Sequence, residues 1–187
     1  MVHNPLAAEP PPGGNVKEIN FATLTLQDAL DFAILVEDEA CERYEDLAAQ
    51  MATHDAPAAA EFFLFMVTNE AKHGHELMIR RRELFGTEPS NVDRSMLWDV
   101  EAPDFSEVRA FMPARDALEV SLRAEMKAHQ FFAEAVNHVT DPAIRTLFEE
   151  LKEEELLHQD LVRREIAKLP ETPVVDVSDY ADEPMPQ

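Results

Sequence analysis

Two stretches 85 positions apart, Glu70-Ala71-Lys72-His73 and Glu155-Leu156-Leu157-His158, constrain this chain more than any other feature. Residues three apart on a helix share a face, so each stretch sets a carboxylate beside an imidazole. One such pair arises readily by chance in an acid-rich chain. Here both pairs fall inside the apolar stripe of a long predicted helix. Each of those helices is preceded by another with a single Glu in its own stripe, Glu37 in one and Glu125 in the other. Four carboxylates and two imidazoles directed into one core must either hold cations or oppose folding.

The stripes come from apolar residues recurring at spacings of three and four. The first helix is predicted to start near Thr25, with Asp28 completing the cap, and to run to about Met51. Its stripe is Leu30, Ala33, Ile34, Glu37, Cys41, Tyr44, Leu47, Ala48 and Met51. Asp55-Ala56-Pro57 reads as a cap and first turn for a second helix that ends near Phe85, with Gly86 as its stop. Its stripe is Phe63, Met66, Val67, Glu70, His73, Leu77 and Leu84, and Arg80, Arg81 and Arg82 suit the negative end of its dipole. Pro113 opens a third helix reaching about Val139, with stripe Leu118, Leu122, Glu125, His129, Phe132 and Val136. Asp141-Pro142 opens a fourth that ends near Leu169-Pro170, with stripe Ile144, Leu147, Phe148, Leu151, Glu155, His158, Val162 and Ile166.

The two halves repeat. Glu37 stands 33 residues before Glu70, and Glu125 stands 30 before Glu155; Tyr44 and Phe132 each follow the lone Glu by seven. Two hairpins of long helices whose midpoints meet at one level make an all-α, antiparallel four-helix bundle. Residues 87–112 are too many for a tight turn, so a long crossover joins helices 2 and 3. It has room for a short helix over 105–111 and for Trp98 packed outside the bundle. Residues 1–22, rich in Pro and Gly, read as a mobile arm, 23–169 as the bundle and 170–187 as a disordered acidic tail.

Composition narrows the chemistry further. A net charge of −22 disfavours nucleic acid and anionic membrane as partners, since phosphate contacts need Lys and Arg. No apolar run is long enough to span a bilayer, and no secretory signal stands at the start, so the expected location is cytoplasmic. A single cysteine, Cys41, excludes an internal disulfide and any four-cysteine metal centre within the chain. Four carboxylates buried without counter-charge would cost several kcal/mol each, or would have to take up protons. Two divalent cations cancel four charges, and two imidazoles complete the set. Oxygen-rich donors with some imidazole favour iron or manganese over structural zinc.

Glu37 with Tyr44, Glu70-x-x-His73, Glu125 and Glu155-x-x-His158 make residues 25–169 resemble the rubrerythrin and ferritin-like di-iron carboxylate family. The resemblance implies a ferritin-like bundle with two iron ions, manganese or a mixed pair being the variants. Glu70 and Glu155 would bridge the metals; Glu37 with His73 would hold one terminally, and Glu125 with His158 the other. Two departures stand out. The rubredoxin-type iron site common in rubrerythrins cannot be built from Cys41 alone, so an external electron donor is implied. The position three after the third-helix ligand, usually Glu in rubrerythrins, is Ala128.

Around these ligands, Tyr44 either hydrogen-bonds one of them, passes an electron or simply packs. His129 would be an added ligand or proton donor. Cys41 reads as a small interior residue or an oxidisable thiol, and His54, His75 and His138 belong to the surface. The function implied is oxidation of Fe(II) by hydrogen peroxide or dioxygen, peroxidase or ferroxidase, in a homodimer. Iron storage or delivery, and a structural dinuclear site without turnover, are the rival readings.

Overall fold

A computed structural model describes residues 20–53, 55–94 and 113–170. They form four helices and, among the described residues, no strand: α1 (Leu26–Thr53), α2 (Pro57–Phe85), α3 (Ala114–His138) and α4 (Pro142–Ile166). Most of the expected arm and tail, Trp98, the expected 105–111 helix and His54 lie outside the described residues. None of the four helices is long and apolar enough to cross a membrane.

The caps explain most of the boundaries. The Asp28 amide donates to Thr25 Oγ1 at 3.1 Å while the Thr25 amide donates back to Asp28 Oδ2 at 3.3 Å, a reciprocal capping box. Asp141 Oδ1 accepts from the amides of Ala143 (2.7 Å) and Ile144 (3.3 Å) above Pro142. Gly86 ends α2 with φ of 61°, a left-handed residue where Gly carries no Cβ penalty. Asp55 departs from expectation. It does not cap α2; Ala56 takes that place without a side-chain bond. Asp55 instead adopts φ of 54°, the left-handed turn that lets the chain reverse, which Asp tolerates better than most residues.

Residues 54–56 and 139–141 are too few to do more than reverse direction, so α1 packs against α2 and α3 against α4 as antiparallel hairpins. The long crossover begins as expected. Gln27 donates to the Pro89 carbonyl at 3.0 Å, and Arg94 forks onto Glu42 at 2.6 and 2.7 Å. The connection therefore sets off along α1, from its first turn toward its middle.

The core is divided in two. One apolar plug gathers Leu30, Phe32 and Val36 of α1 with Phe132 of α3 and Ile144, Leu147, Phe148 and Leu151 of α4. The other gathers Tyr44, Leu47 and Met51 with Phe63, Met66, Leu118 and Val162. On every helix the acidic and imidazole positions fall between the two plugs.

Four details differ from the expected stripes. Leu84 is 54 % exposed, while Phe85 packs on the first plug. The series Phe63, Glu70, Leu77, Leu84 repeats every seven residues, and a straight helix drifts about 20° per heptad. By the third step the next residue faces inward. On α1, Val36 and Ala40 are buried, whereas Ile34 and Cys41 are only half-buried. On α3, small residues line the interface: Ala117, Ser121, Ala124, Ala128 and Ala135 are buried, while Leu122, His129 and Val136 are half-buried. Finally, Phe21, at the inner end of the expected arm, packs on Phe131 and Phe148 with ring centroids 5.6 and 6.4 Å away.

Two arginines of α2 act as cross-links rather than only as dipole partners. Arg81 forks onto the buried Asp31 of α1 at 2.7 and 3.2 Å and also donates to the carbonyls of Gly86 and Glu88. Arg80 reaches Glu150 of α4 at 2.9 Å.

Candidate metal centre

Each helix delivers one glutamate to the layer between the plugs: Glu37 from α1, Glu70 from α2, Glu125 from α3 and Glu155 from α4. All four, with His158, are 4 % exposed or less; His73 is half-buried. Ligating atoms within 4.8 Å of one another form three groups: Glu70, His73 and His158; Glu37, His73 and Glu154; Glu125, Glu155 and His158. The two imidazoles belong to two groups each and stack at 5.3 Å with 12° between their planes. All six expected ligands are thus brought into one cluster, with Glu37 beside His73 and Glu125 beside His158.

His158 Nδ1 lies 3.2 Å from Glu70, 3.5 Å from Glu125 and 3.9 Å from Glu155. It is fully buried yet makes no directed hydrogen bond, and the same holds for His73 Nδ1. A buried imidazole nitrogen without a hydrogen bond is costly. Two of them amid four carboxylates are what a pair of cations would satisfy, so the donor set fits a dinuclear centre.

Charge in this layer is strongly perturbed. Burial pushes the Glu125 carboxyl up, but the His158 imidazole and hydrogen bonds with Glu155 and the Tyr44 hydroxyl outweigh it and hold Glu125 below the usual carboxylate range. Burial, then the neighbouring His158 and Lys72, lower His73, which keeps its imidazole neutral and available to a metal.

Tyr44 is fully buried. Its hydroxyl donates to Glu125 across the bundle and lies 3.0 Å from Ser121 Oγ, while its ring stacks on Phe63 at 5.9 Å. Burial and the charges of Glu125 and Glu70 raise the phenol well above its ordinary range, so it stays a donor. Its counterpart Phe132 offers no hydroxyl, and this is one way the two halves differ. Gln159 adds a bond from its amide to the Glu125 carbonyl at 3.3 Å. His129 is half-buried one turn along α3 and belongs to none of the three ligand groups. His75 and His138 are exposed.

Cys41 sits one turn from Glu37, its thiol 3.6 Å from the Val67 carbonyl. Burial, then the charges of Glu37 and Asp38, push it from 9.0 to about 11. That leaves about a hundredfold less thiolate at neutral pH than an ordinary thiol carries, and thiolate is the reactive form. Alkylation of the metal-free protein by iodoacetamide at pH 7.5 is therefore expected to be about a hundredfold slower than in denaturant. Equal rates in both conditions would show Cys41 to be reactive in place.

Sequence reading missed Glu154. It sits off the centre of the stripe Leu151, Glu155, His158, where a solvated carboxylate is the ordinary expectation. The signal was present all the same: Glu154 precedes His158 by four, which puts the two on one side of α4.

Comparison with known proteins agrees with this geometry. A crystal structure of an uncharacterized conserved protein from Magnetospirillum magnetotacticum MS-1 is 27 % identical, with a TM-score of 0.66 over 81 % of this chain and 99 % of that one. No curated protein matches. The profile of the Rubrerythrin family matches residues 28–166. With four glutamates and two histidines meeting between two apolar plugs, this chain belongs to the rubrerythrin family.

Proposed function

We propose that the chain is a di-iron carboxylate oxidoreductase that oxidises Fe(II) with hydrogen peroxide or dioxygen, as a homodimer served by an external electron donor. The observation that carries this reading is the single layer of Glu37, Glu70, His73, Glu125, Glu155 and His158, in which both imidazoles keep an unbonded buried nitrogen. When bound, two Fe(II) ions supply the two electrons that reduce peroxide to water. Glu70 and Glu155 would bridge them, with Glu37 and His73 at one end and Glu125 and His158 at the other.

The protein's own part is positional. The Tyr44 hydroxyl of α1 orients the Glu125 carboxylate before any metal arrives, and the Gln159 amide of α4 ties down the Glu125 backbone carbonyl. The two plugs exclude bulk water along the bundle axis, which strengthens electrostatic interactions within the layer. Cys41, with its thiol held protonated, leaves electron supply to an outside donor. The exposed Leu64, Phe65, Met78 and Ile79 of α2 support the homodimer.

Stopped-flow oxidation of the anaerobically Fe(II)-loaded chain, followed in the near-ultraviolet, tests the reading. Peroxide is expected to oxidise two irons per chain faster than air does. The Glu70→Ala, Glu155→Ala variant should slow this by more than about a hundredfold. Equal rates in wild type and variant would sink the assignment. The same preparation should sediment as a dimer of the 21.2 kDa chain; a closed shell of many subunits would move the reading to iron storage.

A further inference from the structure

A cleft of about 130 Å³ lies between α2 and α4. Its walls include Leu77, Leu147 and Leu151, and it reaches both His73 and Glu154. The exposed Glu76 also lines it, and the Arg80–Glu150 ion pair spans it at 2.9 Å. His73 is a member of the buried layer, so this cleft joins the surface to that layer from the side, where the plugs do not block it.

Glu154 is placed to do more than line the cleft. A carboxylate oxygen of Glu154, one of Glu37 and a ring nitrogen of His73 all lie within 4.8 Å of one another. The group is a mixed one of two carboxylates and an imidazole, and the His73 ring has a buried Nδ1 with no hydrogen bond. Internal repetition sharpens the point. The 85-residue offset that maps Glu70 onto Glu155 maps Asn69 onto Glu154. The Glu125–His158 position therefore has the counterpart of every ligand at the Glu37–His73 position except this one, since Asn69 stands where the matching carboxylate would be.

On this basis we propose that Glu154 is a seventh metal-ligating residue, which completes the coordination of a divalent first-row cation by Glu37 and His73 and meets it at the inner end of the cleft. The inference rests on the dinuclear reading and deepens it, because it makes the two positions unequal. An added carboxylate brings another negative donor to a hard divalent cation, so the Glu37–His73 position binds more tightly than it would without Glu154. The ligand set of the Glu125–His158 position is untouched.

Anaerobic titration of the full chain with Co(II), read by its visible d–d absorption and by equilibrium dialysis, decides the matter. Wild type is expected to take up two Co(II). Glu154→Gln keeps the shape of the side chain and should weaken one of the two by tenfold or more, with the other unchanged. Glu153→Gln removes the same charge from an exposed neighbour on α4 and should titrate as wild type. Two Co(II) bound identically by wild type and Glu154→Gln would overturn the role of Glu154 and leave the dinuclear reading standing. Equal weakening by Glu153→Gln would overturn it too, by showing a general charge effect. No Co(II) bound by wild type would overturn both together.

Discussion

Glu155→Gln is expected to stabilise the metal-free protein and to remove most of its stabilisation by metal. Without cations the centre keeps four carboxyls out of water, and the His158 imidazole and hydrogen bonds with Glu155 and Tyr44 favour the charged form of Glu125 against its burial. A Gln at 155 keeps the shape, donates to Glu125 permanently and withdraws one ionisable group from the interior, a gain of about 1 kcal/mol. With Mn(II) at about a thousand times its dissociation constant, wild type should gain about 4 kcal/mol, or roughly 10 °C in melting temperature. The variant should gain less than about 1 kcal/mol under the same conditions. A variant that melts lower without metal and gains as much with it would show that Glu155 is no ligand.

The pH dependence has a definite sign. Carboxylate and imidazole donors must be deprotonated to bind, so the metal-dependent gain grows as pH rises from acid toward neutrality. In the metal-free protein, Glu125 lies below its ordinary 4.5. Its contribution is present above 4.5 and is lost as pH falls through the lower folded value.

Phe148→Ala should lower stability by about 4 kcal/mol, roughly 10 °C in a chain of this length. Phe148 is fully buried on α4 and meets Phe132 of α3 at 5.7 Å and Phe21, ahead of α1, at 6.4 Å. Its removal leaves a void at the meeting of three chain segments, two of them packed helices. Chemical denaturation of the metal-free protein measures this without interference from the centre. A loss below about 1 kcal/mol would mean that the first plug is loosely packed.

Legibility from sequence followed the range of the interaction. The helix boundaries rest on local chemistry, such as Thr25 with Asp28, Asp141 before Pro142 and Gly86 after Phe85, and these appear where expected. Asp55 did not, because a backbone that must reverse within three residues had a stronger claim on it than the helix N-terminus. The four glutamates and two histidines were legible because a helix carries its period in the sequence, and two hairpins of similar length bring their midpoints to one level.

Periodicity tells which way a side chain faces only to within tens of degrees, and it says nothing of what faces it from the next helix. The small residues of α3 were passed over because they add little to an apolar stripe, although they are what lets the helices approach. The Tyr44 hydroxyl on Glu125, the fork of Arg81 on Asp31, and Glu154 beside Glu37 and His73 each join two helices. The first two have no signature in either helix alone, and Glu154 has only its place four residues before His158. The sequence by itself determined four amphipathic helices and six convergent carboxylate and imidazole side chains, because both follow from spacing along one chain. Tertiary structure alone decided which donors orient the ligands, where the layer opens to solvent and that its two halves differ, because those depend on the rotation and contact of helices that are distant in sequence.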